Sequence, residues 1–138
     1  MRDDYFMRII DFINQDYLND VKEEIISSKQ FIPECIRSFL TFDELGDSFD
    51  ESLRDRYGQE KMDFRSKMSS IYISLDLLIF IKENNYWGLI NDKSSFLNFL
   101  KKIIQEDFED YSKEFSNVEK EKYAYDYSRF LDLYDSCV

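Results

Sequence analysis

Apolar residues recur at helical spacing along almost the whole chain. Phe6, Ile9, Ile10, Ile13 and Tyr17 fall on one face of a first helix. Asn19 or Asp20 is placed to restart it, with Val21, Ile25 and Ile26 turned inward. Pro33 suits the first turn of the next helix, because its fixed φ and missing N–H cost nothing there; Ile36, Phe39 and Leu40 then face inward. Gly46 stops that helix. The stretch Ser48–Glu51 has the spacing of a capping box: the serine hydroxyl accepts from the Glu51 amide, and the Glu51 carboxylate reaches back. A short helix follows with Phe49, Leu53 and Tyr57 in line, closed by Gly58 at the position that favours a left-handed residue.

From about Gln59 to Lys82 the pattern is the most apolar in the chain, carrying Phe64, Met68, Ile71, Tyr72, Leu75, Leu78 and Ile79. Its second half, YISLDLLIFI, is apolar nearly all round, which places this helix at the centre of the fold. The polar stretch Glu83–Gly88 ends it. Ser94 or Ser95 is placed to cap a further helix carrying Phe96, Leu100, Ile104, Phe108 and Tyr111. Asn117 is placed to cap a last one, with Tyr123, Tyr127, Phe130, Leu131 and Tyr134 aligned. YAYDY, residues 123–127, alternates like a strand, but the three-and-four spacing runs on beyond it and the helix prevails. The expected fold is all-α: residues 1–138 as one domain, a compact bundle of six or seven helices around an apolar central helix at about 60–82.

Composition agrees with that reading. Three Gly and one Pro in 138 residues are too few for the turns of an all-β fold. An apolar fraction of 43% is enough for a core despite the charge, and a chain of this length buries roughly two-thirds of its extended surface. Cys35 reads as a core thiol near the start of a helix and Cys137 as part of a frayed terminus; a disulfide between them is possible, but their spacing is not that of a stapled secreted scaffold. The N-terminus MRDDYFMRII lacks the uncharged apolar stretch of a signal peptide, and the longest apolar run, Leu77–Ile81, is far short of a membrane span. A soluble cytoplasmic protein is expected.

The chemistry missing from the chain narrows its function. There is no histidine, which removes imidazole acid–base catalysis, His-activated nucleophiles and Glu-x-x-His metal sites. Two isolated cysteines without histidine do not make a zinc site. Glycines at 46, 58 and 88 share no phosphate-binding loop. Laid on Asp43, the EF-hand template meets Asp47 at its fifth position but Leu45 at the third, Ser48 at the sixth and Arg54 at the twelfth, so it fails. Asp20-Val21-Lys22 matches a triplet found in metal nuclease sites, but it lies in a helical pattern without a partner acid. No catalytic residue, metal or cofactor is expected, and the chain reads as a non-enzyme.

Charge supplies the positive signal. The net charge is −11, from 29 acidic and 18 basic residues. Residues 43–60 carry seven acids against Arg54 and Arg56, and residues 105–121 carry seven against Lys113 and Lys120. These two segments account for −10 of the −11. Such a balance disfavours phosphate contacts and anionic membrane surfaces, and steers basic partners inward. Each segment has an ordinary reading as a solvated helix face. In the first, however, the acids flank a loop and lie among aromatic residues. The candidate contact set is Asp43, Glu44, Asp47, Asp50, Glu51, Asp55 and Tyr57, with Trp87 from the loop after the central helix, where Tyr86 also lies.

Small size, a helical pattern, strong acidity and no catalytic set resemble, at the level of class, the bacterial immunity proteins of colicin and contact-dependent-inhibition systems. That resemblance implies a cognate toxin domain as the basic partner, most plausibly a nuclease, covered by acidic and aromatic side chains. The alternatives are a nucleic-acid mimic from a phage or mobile element, acting on a restriction or CRISPR complex, and a non-enzymatic helical adaptor. A mimic calls for a long regular acidic stripe, whereas the acids here fall in two clusters.

Overall fold

The computed structural model describes residues 8–40 and 69–138. The fold is all-α. In chain order the helices among the described residues are α1 (Gln15–Ser27), α2 (Glu34–Arg37), α3 (Ser69–Asn84), α4 (Lys93–Tyr111) and α5 (Asn117–Cys137). One-turn 3₁₀ segments lie at Trp87–Leu89 and Ser112–Glu114, and residues 8–10 are helical.

α3 is the centre, and α4 and α5 pack along it. From Ser70 to Ile81 every side chain is buried except Ile79, which is half-buried. That follows from a sequence apolar on all sides, since only a helix enclosed by others leaves no face for solvent. Two of its polar side chains make hydrogen bonds that hold them in place. The Ser74 hydroxyl donates to the Ser70 carbonyl at 2.7 Å, and the Tyr72 hydroxyl donates to the Asp126 carboxylate of α5 at 2.5 Å. α3 ends in a Schellman motif: Asn85 takes the left-handed conformation (φ 56°), and the Tyr86 amide reaches back to the Ile81 carbonyl at 2.9 Å.

Several expected boundaries move. The first helix does not run from Phe6 to Tyr17 and restart at Asn19 or Asp20. Its backbone breaks after residue 10 because residues 12–14 pair with the segment after α3. Asn14 N–H donates to the Leu89 carbonyl at 2.7 Å, Asn91 N–H donates to Phe12 at 2.8 Å, and Ile13 and Ile90 form an antiparallel bridge. Asn14 then caps α1, accepting from the Tyr17 amide at 3.2 Å. Pro33 stands one place earlier than expected, as the N-cap of α2.

The caps of the last two helices also differ. Asp92, not Ser94 or Ser95, caps α4, its carboxylate accepting from the Ser95 amide at 3.3 Å and the Ser95 hydroxyl at 2.8 Å. Ser116, not Asn117, caps α5 through a reciprocal box with Glu119. Cys137 is not frayed: α5 continues through it and its side chain is buried. Neither thiol is in a disulfide, and Cys35 is fully enclosed in α2. The central helix expected from about residue 60 is described from Ser69 onward, and the capped short helix expected at Ser48–Tyr57 lies outside the described residues. YAYDY is helical.

Candidate interaction surface

Of the predicted contact set, Asp43, Glu44, Asp47, Asp50, Glu51, Asp55 and Tyr57 lie outside the described residues. Trp87 is described. It is half-buried in the 3₁₀ turn after α3, and the Lys93 ammonium lies over its ring, 4.4 Å from the centroid. One ring face is thereby taken by a cation of the same chain. Tyr86, its neighbour, belongs to the core: it packs against Phe80 (5.6 Å) and Tyr17 (6.5 Å), and burial, then Glu24, raise its phenol pKa.

The second acidic segment is described in full and forms the corner where α4 turns into α5. Its inner side is an aromatic column. Phe108 of α4 stacks on Tyr123 of α5 at 4.1 Å, and the column continues through Tyr127, Phe130 and Tyr134, with Phe115 closing its end. Burial, followed by the nearby Tyr127 and Asp107, raises the Tyr123 pKa well above the ordinary phenol value. Gln105 donates to the Tyr127 hydroxyl at 2.9 Å. These contacts follow from aromatic residues three and four apart on α5, which form one stripe that Phe108 of α4 meets.

The outer side carries the charge. Glu106, Glu109, Asp110, Glu114 and Glu121 are exposed, while Asp107 and Glu119 are half-buried. Four of these acids, Glu106, Asp107, Glu109 and Asp110, fall in the last turns of α4, and the last turn holds no basic residue. A helix C-terminus already carries partial negative charge, so Glu109 and Asp110, in the last turn, are unfavourable by about 0.3–1 kcal/mol each. Lys102 reaches Glu106 at only 4.0 Å, with both side chains more than half exposed, which offsets little. The contrast with the start of α5 is plain, since Glu119 there sits at a helix N-terminus and completes its cap.

Two exposed apolar residues flank this corner and escape a search for charge. Val118 in the first turn of α5 is 72% exposed and Tyr125 is 66% exposed. They lie seven residues apart, on the face of α5 turned away from α3. Arg129 lies over the Tyr125 ring at 5.9 Å, and its guanidinium also reaches the buried Asp126 at 3.7 Å. The signal for them in the sequence is an aromatic and an aliphatic residue at i and i+7 on an otherwise polar helix face.

Among the described residues no three His, Cys, Asp or Glu side chains gather to hold a metal ion. Asp20 of the Asp20-Val21-Lys22 triplet stands exposed on α1. No described helix is long and apolar enough to cross a membrane. Compared with protein-family models, curated proteins and solved structures, the chain matches none.

Proposed function

We propose that this protein is a non-catalytic inhibitor that neutralises a basic toxin domain of the nuclease class through an acidic and aromatic surface. The observation that carries the reading is the acidic end of α4. Glu109 and Asp110 lie at the end of the helix dipole that disfavours them, and the last turn holds no basic residue to offset them. A basic partner converts that local cost into attraction and accelerates encounter. Val118 and Tyr125 supply apolar contact beside the charge. The acids from Asp43 to Asp55, with Tyr57 and the exposed edge of Trp87, form the other half of the proposed contact set. A nucleic-acid mimic ranks second, because acids gathered at one helix corner do not follow the spacing of phosphates.

The test is co-expression with a basic toxin domain, taken from the neighbouring upstream gene if that gene encodes a large protein with a toxic C-terminal domain. The protein protects growth, and purified partners associate at a rate that falls steeply with salt. Reversing Asp47, Asp50 and Glu51 to Lys, or Glu109 and Asp110 to Lys, slows association. Rates and salt dependence unchanged in both sets would refute the acidic-surface reading.

A further inference from the structure

The outward face of α5 carries a stripe whose spacing is symmetric about its middle. Val118, Glu121, Tyr125, Arg129 and Asp132 are all exposed, and steps of three, four, four and three residues keep them in line along the helix. Tyr125 is the midpoint. Val118 and Tyr125 are 72% and 66% exposed, so an aliphatic and an aromatic side chain stand in solvent on an otherwise polar face. At about 1.5 Å per residue the stripe is about 21 Å long, with Glu121 and Arg129 each about 6 Å from Tyr125 on opposite sides.

Charge follows the same symmetry with opposite sign. Among the described residues neither Glu121 nor Asp132 makes an ion pair. Arg129 lies over the Tyr125 ring, 5.9 Å from its centroid, and reaches Asp126 at 3.7 Å, longer than a charge-assisted hydrogen bond. A guanidinium carries five N–H donors, so this one long contact leaves donors for a second carboxylate. Of the neighbouring charges, Glu119, Lys122 and Asp126 are engaged within the chain, and Asp135 lies beyond the end of the stripe.

We infer that this face docks a second copy of the chain, as an antiparallel pair of α5 helices about a twofold axis at Tyr125. A twofold contact sets residue i against j and j against i, so Glu121 of each copy faces Arg129 of the other. The two Tyr125 rings meet between these ion pairs. Val118 meets the Asp132 end at the rim, where that carboxylate keeps its water. A parallel pair would set Glu121 against Glu121 and Arg129 against Arg129, so the charges select the antiparallel one. One helix pair is a small interface, and two chains of net charge −11 repel. The dimer is therefore weak, with Kd on the order of tens of micromolar, and is favoured at about 0.15 M salt, where long-range repulsion is screened and contact pairs persist. The inference concerns the free chain and does not rest on the toxin reading; a partner that uses Val118 and Tyr125 has first to displace the second copy.

Sedimentation equilibrium from about 5 to 500 μM chain, at about 0.15 M salt, reads the association directly. The parent chain is expected to pass reversibly from monomer to dimer. Glu121→Arg alone and Arg129→Glu alone each set like charges opposite one another twice per dimer, and each should weaken self-association at least about tenfold. Glu121→Arg also lowers the net charge from −11 to −9, which by itself would favour association, so a loss reports the local pair. Mixed in equal amounts, the two variants should restore the dimer, because every arginine then faces a glutamate. Tyr125→Ala should weaken the parent dimer about tenfold by removing the central contact. Glu121 is exposed and unpaired, so Glu121→Arg leaves the fold intact and decides the question even if Arg129→Glu, beside Asp126, unfolds. A parent chain monomeric across that range, which would leave the face to a different partner, overturns the inference. So does undiminished association of Glu121→Arg, or a mixture of folded variants that associates no better than its components.

Discussion

Removing one oxygen atom from the core tests how α3 and α5 are locked together. The Tyr72 hydroxyl and the Asp126 carboxylate meet at 2.5 Å between residues only 3% and 5% exposed. Tyr72→Phe keeps the ring and its packing but takes the donor from a buried carboxylate. Arg129 remains at 3.7 Å, but its side chain is 46% exposed, so its ion pair compensates by about 0–1 kcal/mol at most. A hydrogen bond to a charged group contributes about 1.5–3 kcal/mol, and a stranded acceptor costs a similar amount. The expected loss is therefore about 2 kcal/mol. With an unfolding entropy of roughly 2.1 cal/mol/K per residue, a chain of 138 residues has about 0.3 kcal/mol/K, so Tm falls by about 7 °C. Urea titration of Tyr72→Phe, Asp126→Ala and the double variant gives the coupling, expected at about 1–2 kcal/mol with the double variant less unstable than the sum. A Tyr72→Phe loss below about 0.5 kcal/mol, within the range of ordinary surface substitutions, would refute the claim that this bond fastens the two helices.

Other substitutions probe separate parts of the account. A Cβ on Gly88 would lie within 2.7 Å of ring carbons of Tyr17, so Gly88→Ala should destabilise by about 1–3 kcal/mol, and by less in a Tyr17→Leu background, as read by chemical denaturation. Ser116→Ala should cost about 1 kcal/mol through loss of the α5 cap, whereas Asn117→Ala should cost almost nothing; the reverse order would return the cap to Asn117. Burial favours the neutral phenol of Tyr123 in the folded state, so its contribution is complete below the unfolded value of 10.0 and is lost as pH rises above it toward the higher folded value. Tyr123→Phe should accordingly flatten the decline of stability above about pH 10, and an unchanged alkaline profile would show that Tyr123 is not responsible.

The periodicity of the sequence carried the core well where apolar residues were dense. The aromatic set Phe108, Tyr123, Tyr127, Phe130 and Tyr134 aligns as its spacing requires, and the central helix is enclosed because YISLDLLIFI offers no polar face. Boundaries were less legible where the decisive contact comes from a distant segment. Nothing local to Asp11–Asn14 announces that this backbone pairs with Leu89–Asn91, and that pairing sets the start of α1. Ser94 and Ser95 compete as caps on residue type alone, and it is the geometry of Asp92, whose carboxylate serves both the amide and the hydroxyl of Ser95, that decides the start of α4. The clustering of acids at 105–121 was evident from counting. That Glu109 and Asp110 lie in the unfavourable last turn of α4 required the helix bounds. Within YAYDY, only the angular position of Tyr125 on α5 separates it from the buried Tyr123 and the half-buried Tyr127.

The central claim is that the acidic end of α4 is retained for a partner at the expense of the helix. Glu109→Lys and Asp110→Lys together separate the two effects in one pair of measurements, thermal unfolding of the free protein and association with the toxin domain. Placing cations at a helix C-terminus should raise stability by about 0.5–2 kcal/mol for the pair. The association rate should fall by about tenfold or more at low salt, converging with the parent as salt screens the attraction. A variant that is more stable and binds more slowly is the result the account predicts. A variant that is more stable and associates as fast as the parent, at every salt concentration, would contradict it.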